Sequence, residues 1–503
     1  MALPYIFAGI PPAIVEFLIT TPKIHESEGI PVQAKIKQIS ITDIYSELEE
    51  FFQEDKPKLI RLFEEYIDLS VYIPQCFYNA YYKATGHPRD FKLTSILSAL
   101  IVQKILSIPE TSMLINFLSL SKELRDFCGL ARVPDAAQFT RFRHEFEKYL
   151  NLMFEKLVET TEPICQKISS ELANIIIVDT TGIEGNVKEN NPKFFDTLLR
   201  SSKIFSKNIA DFNAHTYACG KMPKQATSNP DLKFSYMNGH YCYSMKTAIV
   251  SNGLGIIRHI DFYEDKSKDL SNAKTANEAK DEYDAKTLIP VLRNYFNKHS
   301  NFSYKYFLGD AGFDAYDNYK YLVKEHNIIP IIPINPRGSK DVGMPGVNED
   351  GIPTCPNDPS LLMKHDGTVK EKGRPLRIKW LCPKTKKYFK NGTTQYECTC
   401  ENSCTTSKCG RIHHTYPEKD YRMNTVVPRS SELWKQLFKT RTIIERSIYM
   451  LKYPMGISNT KLSNTKSLKS DILLAAITQQ LTLILASKLN QTKNPLSIKQ
   501  FVA

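Results

Sequence analysis

Apolar residues recur at helical spacing from about residue 40 to 170. Ile44, Leu48, Phe51 and Phe52 share one helical face, and Leu59, Leu62, Phe63 and Tyr66 share another. Thr94 to Leu106 repeats the pattern through Ile96, Leu97, Leu100, Ile101 and Ile105. Pro74, Pro88, Pro109 and Pro134 punctuate the run, and Asp135 stands where the next helix needs an N-cap. The period then changes. Ile175, Ile176, Ile177 and Val178 are four β-branched residues in a row, the pattern of a strand covered on both faces, and the strand is predicted to end on Asp179. Gly239 to Phe262 reads as a β-hairpin turning at Ser251-Asn252-Gly253. Tyr304 to Asp310 is a second short strand that delivers an aspartate. Asn327 to Asn335 is a further buried strand whose prolines mark an edge. Thr275–Lys298 and Tyr316–His326 read as helices. Gly185 to Pro230, rich in Lys and Asn and without clear period, reads as a loop region. Leu473 to Leu489 is the longest apolar stretch near the C-terminus. Thr478, Gln479, Gln480 and Thr482 interrupt it, so it reads as a packed core helix and not as a membrane span.

Acids at strand ends change what the pattern means. Alone, Asp179 reads as the cap of a turn before Gly182. Asp310 closes a second strand in the same way. Arg441 to Lys452 is a helical stretch in which Arg441, Glu445 and Lys452 share one face, beside an apolar stripe of Ile444, Ile448 and Leu451. Two strand-end aspartates and a helix glutamate can converge on a pair of hard divalent cations. Such a pair can activate a hydroxyl nucleophile and stabilise the leaving oxygen of an in-line phosphoryl displacement.

These residues resemble the DDE triad of bacterial insertion-sequence transposases. The helix is similar to the Tyr-Arg-Glu-Lys signature of one large branch, Y-x2-R-x3-E-x6-K, here Phe438, Arg441, Glu445 and Lys452. Phe438 replaces the Tyr; this loses a hydroxyl but no metal ligand. Gly309-Asp310-Ala-Gly312-Phe313 and Ile444-Glu445-Arg446 also look like this family, and the likeness covers about residues 130 to 490. The resemblance implies an α/β protein with an RNase H-like catalytic domain (171–335 and 431–490), a helical N-terminal domain (1–170) that recognises DNA ends, and an inserted, partly β, Cys-rich subdomain (336–430). It implies that Asp179, Asp310 and Glu445 hold two Mg²⁺ ions, replaceable by Mn²⁺. Arg441, Lys452, Arg446 and Lys246 would meet DNA phosphates, Arg441 alternatively forming only a helix salt bridge with Glu445. It also implies double-stranded DNA, both transposon ends and target, as partner, and a homodimer. Arg141 and Arg143 are either phosphate contacts or ordinary surface arginines. His240 is either a site residue or a structural one.

Charge and cysteine add to this. The net charge is +12, and residues 364–452 hold 20 Lys plus Arg against 8 Asp plus Glu, so the rest of the chain sums to neutral. A basic block ahead of Glu445 suits a polyanion. Within it Lys384, Lys386, Lys387 and Lys390, interleaved with Trp380, Tyr388 and Phe389, either lie along DNA or form a hairpin with a solvated face. Six of the eleven Cys fall in the insertion, and Cys398-x-Cys400-x3-Cys404-x4-Cys409 raises a structural Zn²⁺ site against plain free thiols. The N-terminal apolar stretch lacks an early cation and is broken by Pro4, Pro11, Pro12 and Glu16, which argues against a secretory signal and for a reducing, cytoplasmic (bacterial) setting. Two alternatives stay open: a metal-dependent nuclease of the same fold, and a catalytically inactive DNA-binding protein.

Overall fold

The computed structural model describes residues 58–205, 212–237, 239–263, 284–335, 346–348, 350–390, 392–458, 460–495 and 497. The face of Ile44, Leu48, Phe51 and Phe52 lies outside them, as do 275–283 of the helix expected from Thr275 and 336–345 of the insertion. Before the sheet come α1 (Lys58–Tyr66), α2 (Leu69–Tyr72), α3 (Gln75–Tyr81), α4 (Leu93–Ile105) and α5 (Thr111–Leu120). They are followed by α6 (Lys122–Phe127), α7 (Ala136–Glu145), α8 (Glu147–Ile168) and α9 (Ser170–Ala173). Asp135 caps α7, its Oδ1 accepting from the Gln138 amide at 2.7 Å.

One sheet carries the rest. Its strands are β1 (Ile175–Glu184), β2 (Lys233–Met237), β3 (His240–Asn252), β4 (Ile257–Phe262), β5 (Tyr306–Leu308) and β6 (Ile329–Ile331). The order is β2-β3-β1-β5-β6, with β4 also on β3; β1 is antiparallel to β3 and parallel to β5, and β5 is parallel to β6. The four-residue apolar run explains the layering. Ile175 and Ile177 point into one core with Met245, Ile249 and Leu308, while Ile176 and Val178 point into another with Ala248, Val250 and Phe307. The N-terminal helices join the first core, so they and the sheet share apolar packing.

Two expectations need correction. β1 does not end on Asp179: its ladder with β3 runs on to Glu184 opposite Ser244, because Thr180, Thr181 and Ile183 remain extended and paired. The stretch from Gly185 is not loop throughout, since α10 (Pro192–Phe205) and α11 (Ala214–Lys221) occupy it. Proline opens α10, and Phe194, Phe195 and Leu198 pack on the first core, a stripe short enough to be masked by the surrounding Lys and Asn. The remaining elements of the second layer are α12 (Asp284–Lys298) and α13 (Tyr316–His326), the latter closed by Asn327 at φ 54°.

The insertion forms two small sheets, β11-β8-β7 and β10-β9, from β7 (Lys364–Val369), β8 (Arg377–Leu381), β9 (Thr385–Lys390), β10 (Thr393–Cys398) and β11 (Ile412–Thr415). The chain returns through α14 (Glu432–Thr440), α15 (Thr442–Lys452) and α16 (Thr465–Lys488). α16 is long and apolar enough to cross a membrane, yet it is buried inside the protein. Its polar interruptions are satisfied there: Gln479 Oε1 accepts from the Ile257 amide at 2.9 Å and Gln480 Nε2 donates to the Ile257 carbonyl at 2.6 Å. Asp471 of α16 takes Lys104 Nζ at 2.7 Å and lies 3.7 Å from Arg143 Nε, all three buried. Arg143 also donates to Gln103 Oε1 at 2.5 Å and Thr111 Oγ1 at 3.2 Å. It is therefore neither a phosphate contact nor a surface arginine, whereas Arg141 is exposed.

Candidate active site

β1 sets the first acid. Asp179 is opposite Ile249 on one side, and on the other side the parallel ladder stops at Ile177–Leu308. Continuing that register by two residues brings Asp310 alongside Asp179, past the end of β5. Each acid is held by the backbone: Asp179 Oδ1 accepts from the Thr180 amide at 2.8 Å, and Asp310 Oδ1 accepts from the Gly312 amide at 2.9 Å to cap a short 3₁₀ turn. The next turn is locked by Asp314, which takes a two-pronged bond from Arg422 (2.8 and 2.7 Å), the Asn335 amide at 2.7 Å and the Tyr319 hydroxyl at 3.0 Å. Asp314 is visible in the sequence four residues after Asp310. Its partner, 108 residues away in the insertion, carries no local signal.

α15 brings the third acid. Ile444, Ile448 and Leu451 are buried beneath it, and Glu445 is half-exposed on the flank. Glu445 Oε1 accepts from Arg441 Nη2 at 2.6 Å, so the salt bridge between positions four apart is formed. Arg441 lies 5.7 Å from the Phe438 ring, and Phe438 stacks on Trp434 with centroids 4.8 Å apart. Phe438 therefore serves as a packing surface behind the arginine.

The acids share one electrostatic neighbourhood. The Asp179 carboxyl is pushed up to about 6 by burial, and further by the negative charges of Asp310 and Glu445, against the opposing pull of the Thr180 amide and Arg441. A buried carboxylate that feels the charges of two others favours a nearby cation, and an all-carboxylate donor set suits hard divalent ions. The residues present thus fit the Mg²⁺ or Mn²⁺ expected from the sequence.

The predicted phosphate contacts divide. Lys452 is buried at the end of α15; burial lowers its pKa while Glu184, Cys242 and Asp179 raise it, which places it within the field of the site. Arg446 is exposed one residue after Glu445. Lys246 lies opposite Gly182, and strand alternation puts it on the face of Ala248 and Val250, away from that of Asp179; its ammonium is 5.8 Å from the Tyr263 ring centroid. His240 Nε2 lies 3.2 Å from Glu184 Oε1. With Cys242 these two place three potential ligand atoms within 4.8 Å of one another, a grouping the sequence did not suggest because it spans two strands. In the basic insertion, Trp380 is core, its Nε1 donating to Thr415 Oγ1 at 2.9 Å, so it does not face DNA. Tyr388, Phe389, Lys384, Lys386 and Lys390 are exposed, while Lys387 shares Asp366 with Lys379 at 2.9 Å each.

Comparison with known families matches residues 172–481 to the Transposase DDE domain, a span that includes Asp179, Asp310, Glu445 and Lys452. The chain belongs to the DDE transposase family. Residues 46–145 of the transposase also match a second family, described as Transposase domain (DUF772). No curated protein matches it. Among solved structures it resembles a cryo-EM structure of a piggyBac transposase synaptic complex with hairpin DNA, at 11% identity over 88% of this chain and 77% of that one. The TM-score is 0.36.

Proposed function

We propose that this transposase cuts DNA at transposon ends and joins the freed 3′-hydroxyl to target DNA. The observation that carries the reading is the buried Asp179 carboxyl, pushed up to about 6 chiefly by burial, with Asp310 and Glu445 close enough for their charges to add to the rise. The sheet order, an antiparallel β4-β3-β1 unit continued by parallel β5 and β6, supports an RNase H-like catalytic domain. The three acids would hold two Mg²⁺ ions, which supply activation of the attacking oxygen and charge stabilisation at phosphorus. Each step exchanges one P–O bond for another: water, then the DNA 3′-hydroxyl, attacks phosphorus and a DNA oxygen leaves with a proton. Around that exchange the protein's own residues orient. Arg441 holds Glu445 and offers its remaining N–H groups to a phosphate, Lys452 sets a positive charge at the buried end of the same helix, and exposed Arg446 lies beside them. We assign the chain to the bacterial insertion-sequence branch, on the spacing of Phe438, Arg441, Glu445 and Lys452, working as a cytoplasmic homodimer on paired ends.

The test is strand transfer in vitro with purified protein, Mg²⁺ and the terminal sequences flanking its own gene, with Glu445→Gln as control. The wild type is expected to join ends to target and the variant to bind ends with at least a hundredfold less joining, about 3 kcal/mol in the transition state. Cleavage without joining favours the nuclease alternative. Binding by both proteins with no reaction under Mg²⁺ or Mn²⁺ would overturn the enzymatic reading.

A further inference from the structure

The insertion has a small apolar core of its own. Its apolar cluster among the described residues is Ile352, Met363, Ile378 and Trp380, under two separate small sheets. A module with so small a core needs a staple of another kind. The cysteines form no disulfides.

The backbone brings four of them together from separate segments. The Thr385 amide donates to the Cys382 carbonyl at 2.9 Å, closing a tight turn after β8, and Thr385 pairs with Cys398 across the β9–β10 hairpin. The Cys398 amide donates to Lys408 at 2.9 Å, which folds the Cys404 loop back over the hairpin end. Asn357, two residues after Cys355, donates to the Asn402 carbonyl at 3.1 Å, two residues before Cys404. Cys355 and Cys382 are buried. The remaining two are engaged elsewhere: Cys400 Sγ lies 3.4 Å from the Asn402 carbonyl, and Cys409 Sγ lies 2.9 Å from Ser407 Oγ. Gly410 makes room, since a Cβ there would fall 3.3 Å from Cys398 Sγ and its φ is +78°.

We propose that Cys355, Cys382, Cys398 and Cys404 bind one Zn²⁺ as a tetrathiolate that staples the insertion. This replaces Cys400 and Cys409 of the sequence pattern by two cysteines that lie far upstream. The thiols already sense one another: burial raises the Cys382 pKa, the Lys384 amide opposes that, and Cys398, Cys355 and Cys404 add to the rise. A cation relieves that crowding, and the four thiols release their protons to buffer as the Zn–S bonds form. Tetrahedral Zn–S bonds of about 2.3 Å set the sulfurs roughly 3.8 Å apart. No three of these sulfurs lie within 4.8 Å of one another here, so binding draws the loops inward and tightens the module.

The experiment uses the reduced full chain. Zinc retained after desalting is measured, and Co²⁺ is titrated into metal-free protein. We expect one zinc per chain and a Co²⁺ spectrum with intense thiolate charge-transfer and tetrahedral d–d bands. Chelation is expected to accelerate proteolysis within residues 346–430 several-fold, with Zn²⁺ restoring resistance. Cys382→Ser and Cys404→Ser should lose the bound zinc; Cys400→Ser, Cys409→Ser and Cys242→Ser should keep it. The Co²⁺ spectrum of the wild type counts thiolates whether or not a variant folds. Absence of thiolate bands, or zinc lost with Cys242→Ser and kept with Cys382→Ser, would overturn the proposal; the latter would move the ion to Glu184, His240 and Cys242.

Discussion

At the scale of single residues, burial decides which titratable groups matter. His299 is 1% exposed, and its ring stacks on Phe302 with centroids 5.0 Å apart. Neither ring nitrogen has a hydrogen-bond partner, although the largely exposed Glu159 reaches within 3.7 Å of Nδ1. Burial, helped by Arg258 and Lys298, pushes its pKa down to about 4. In the unfolded chain the same imidazole titrates near 6.5. Between those two values the unfolded state binds the extra proton, so stability is full above about pH 6.5 and falls as pH drops towards 4. His299→Phe keeps the ring packing and deletes the proton uptake. Its unfolding free energy, from urea titrations at each pH, is expected to fall less steeply than the wild type's between pH 6.5 and 4, by up to about 1 kcal/mol per pH unit. Parallel pH profiles for the two proteins would refute this.

At the scale of elements, ionic contacts between helices carry a comparable load. Asp471 of α16 is the acid that faces both Lys104 of α4 and Arg143 of α7. Asp471→Ala leaves an ammonium and a guanidinium buried without their counter-charge, a loss of about 3–5 kcal/mol. Urea unfolding followed by circular dichroism measures it, and a loss below about 1 kcal/mol would show that water or relaxation compensates. This cluster also shows where sequence reading reaches its limit. Period and capping revealed the helices, the buried strand Ile175–Val178, the hairpin, the edge strand at Pro330 and the buried helix α16, because each is written in neighbouring residues. Arg143 was not legible as core, since its partner stands 328 positions later. Nor was the run of β1 past Asp179, which depends on pairing with β3. Asp179, Asp310 and Glu445 could be named as candidates because each stands on or beside an element written in neighbouring residues. The Asp314–Arg422 clamp behind one of them could not, because only folding joins its two halves.

At the scale of the whole molecule, the excess positive charge is gathered in the stretch that precedes and includes the Glu445 helix, while the rest of the chain is neutral in sum. If that charge meets DNA, affinity should follow counterion release, falling with salt at a slope set by the number of phosphates neutralised. The hairpin β9–β10 separates the contributors. Lys387 is paired with Asp366 and so balanced within the protein, while Lys386 stands opposite Glu397 in the ladder. Lys384 and Lys390 are exposed at the two ends of β9, and Phe389, on the other face of the strand, is 75% exposed. Lys384→Gln with Lys390→Gln is expected to weaken binding to any duplex, related or unrelated to the element's ends, and to lower the log–log salt slope by about 2. Lys387→Gln should leave the slope unchanged, and Asp366 keeps Lys379 and the Tyr396 hydroxyl, each at 2.9 Å. Fluorescence anisotropy across a salt series reads both. A double variant with the wild-type slope would remove the hairpin from the DNA path and leave the charge around α14 and α15 to account for binding.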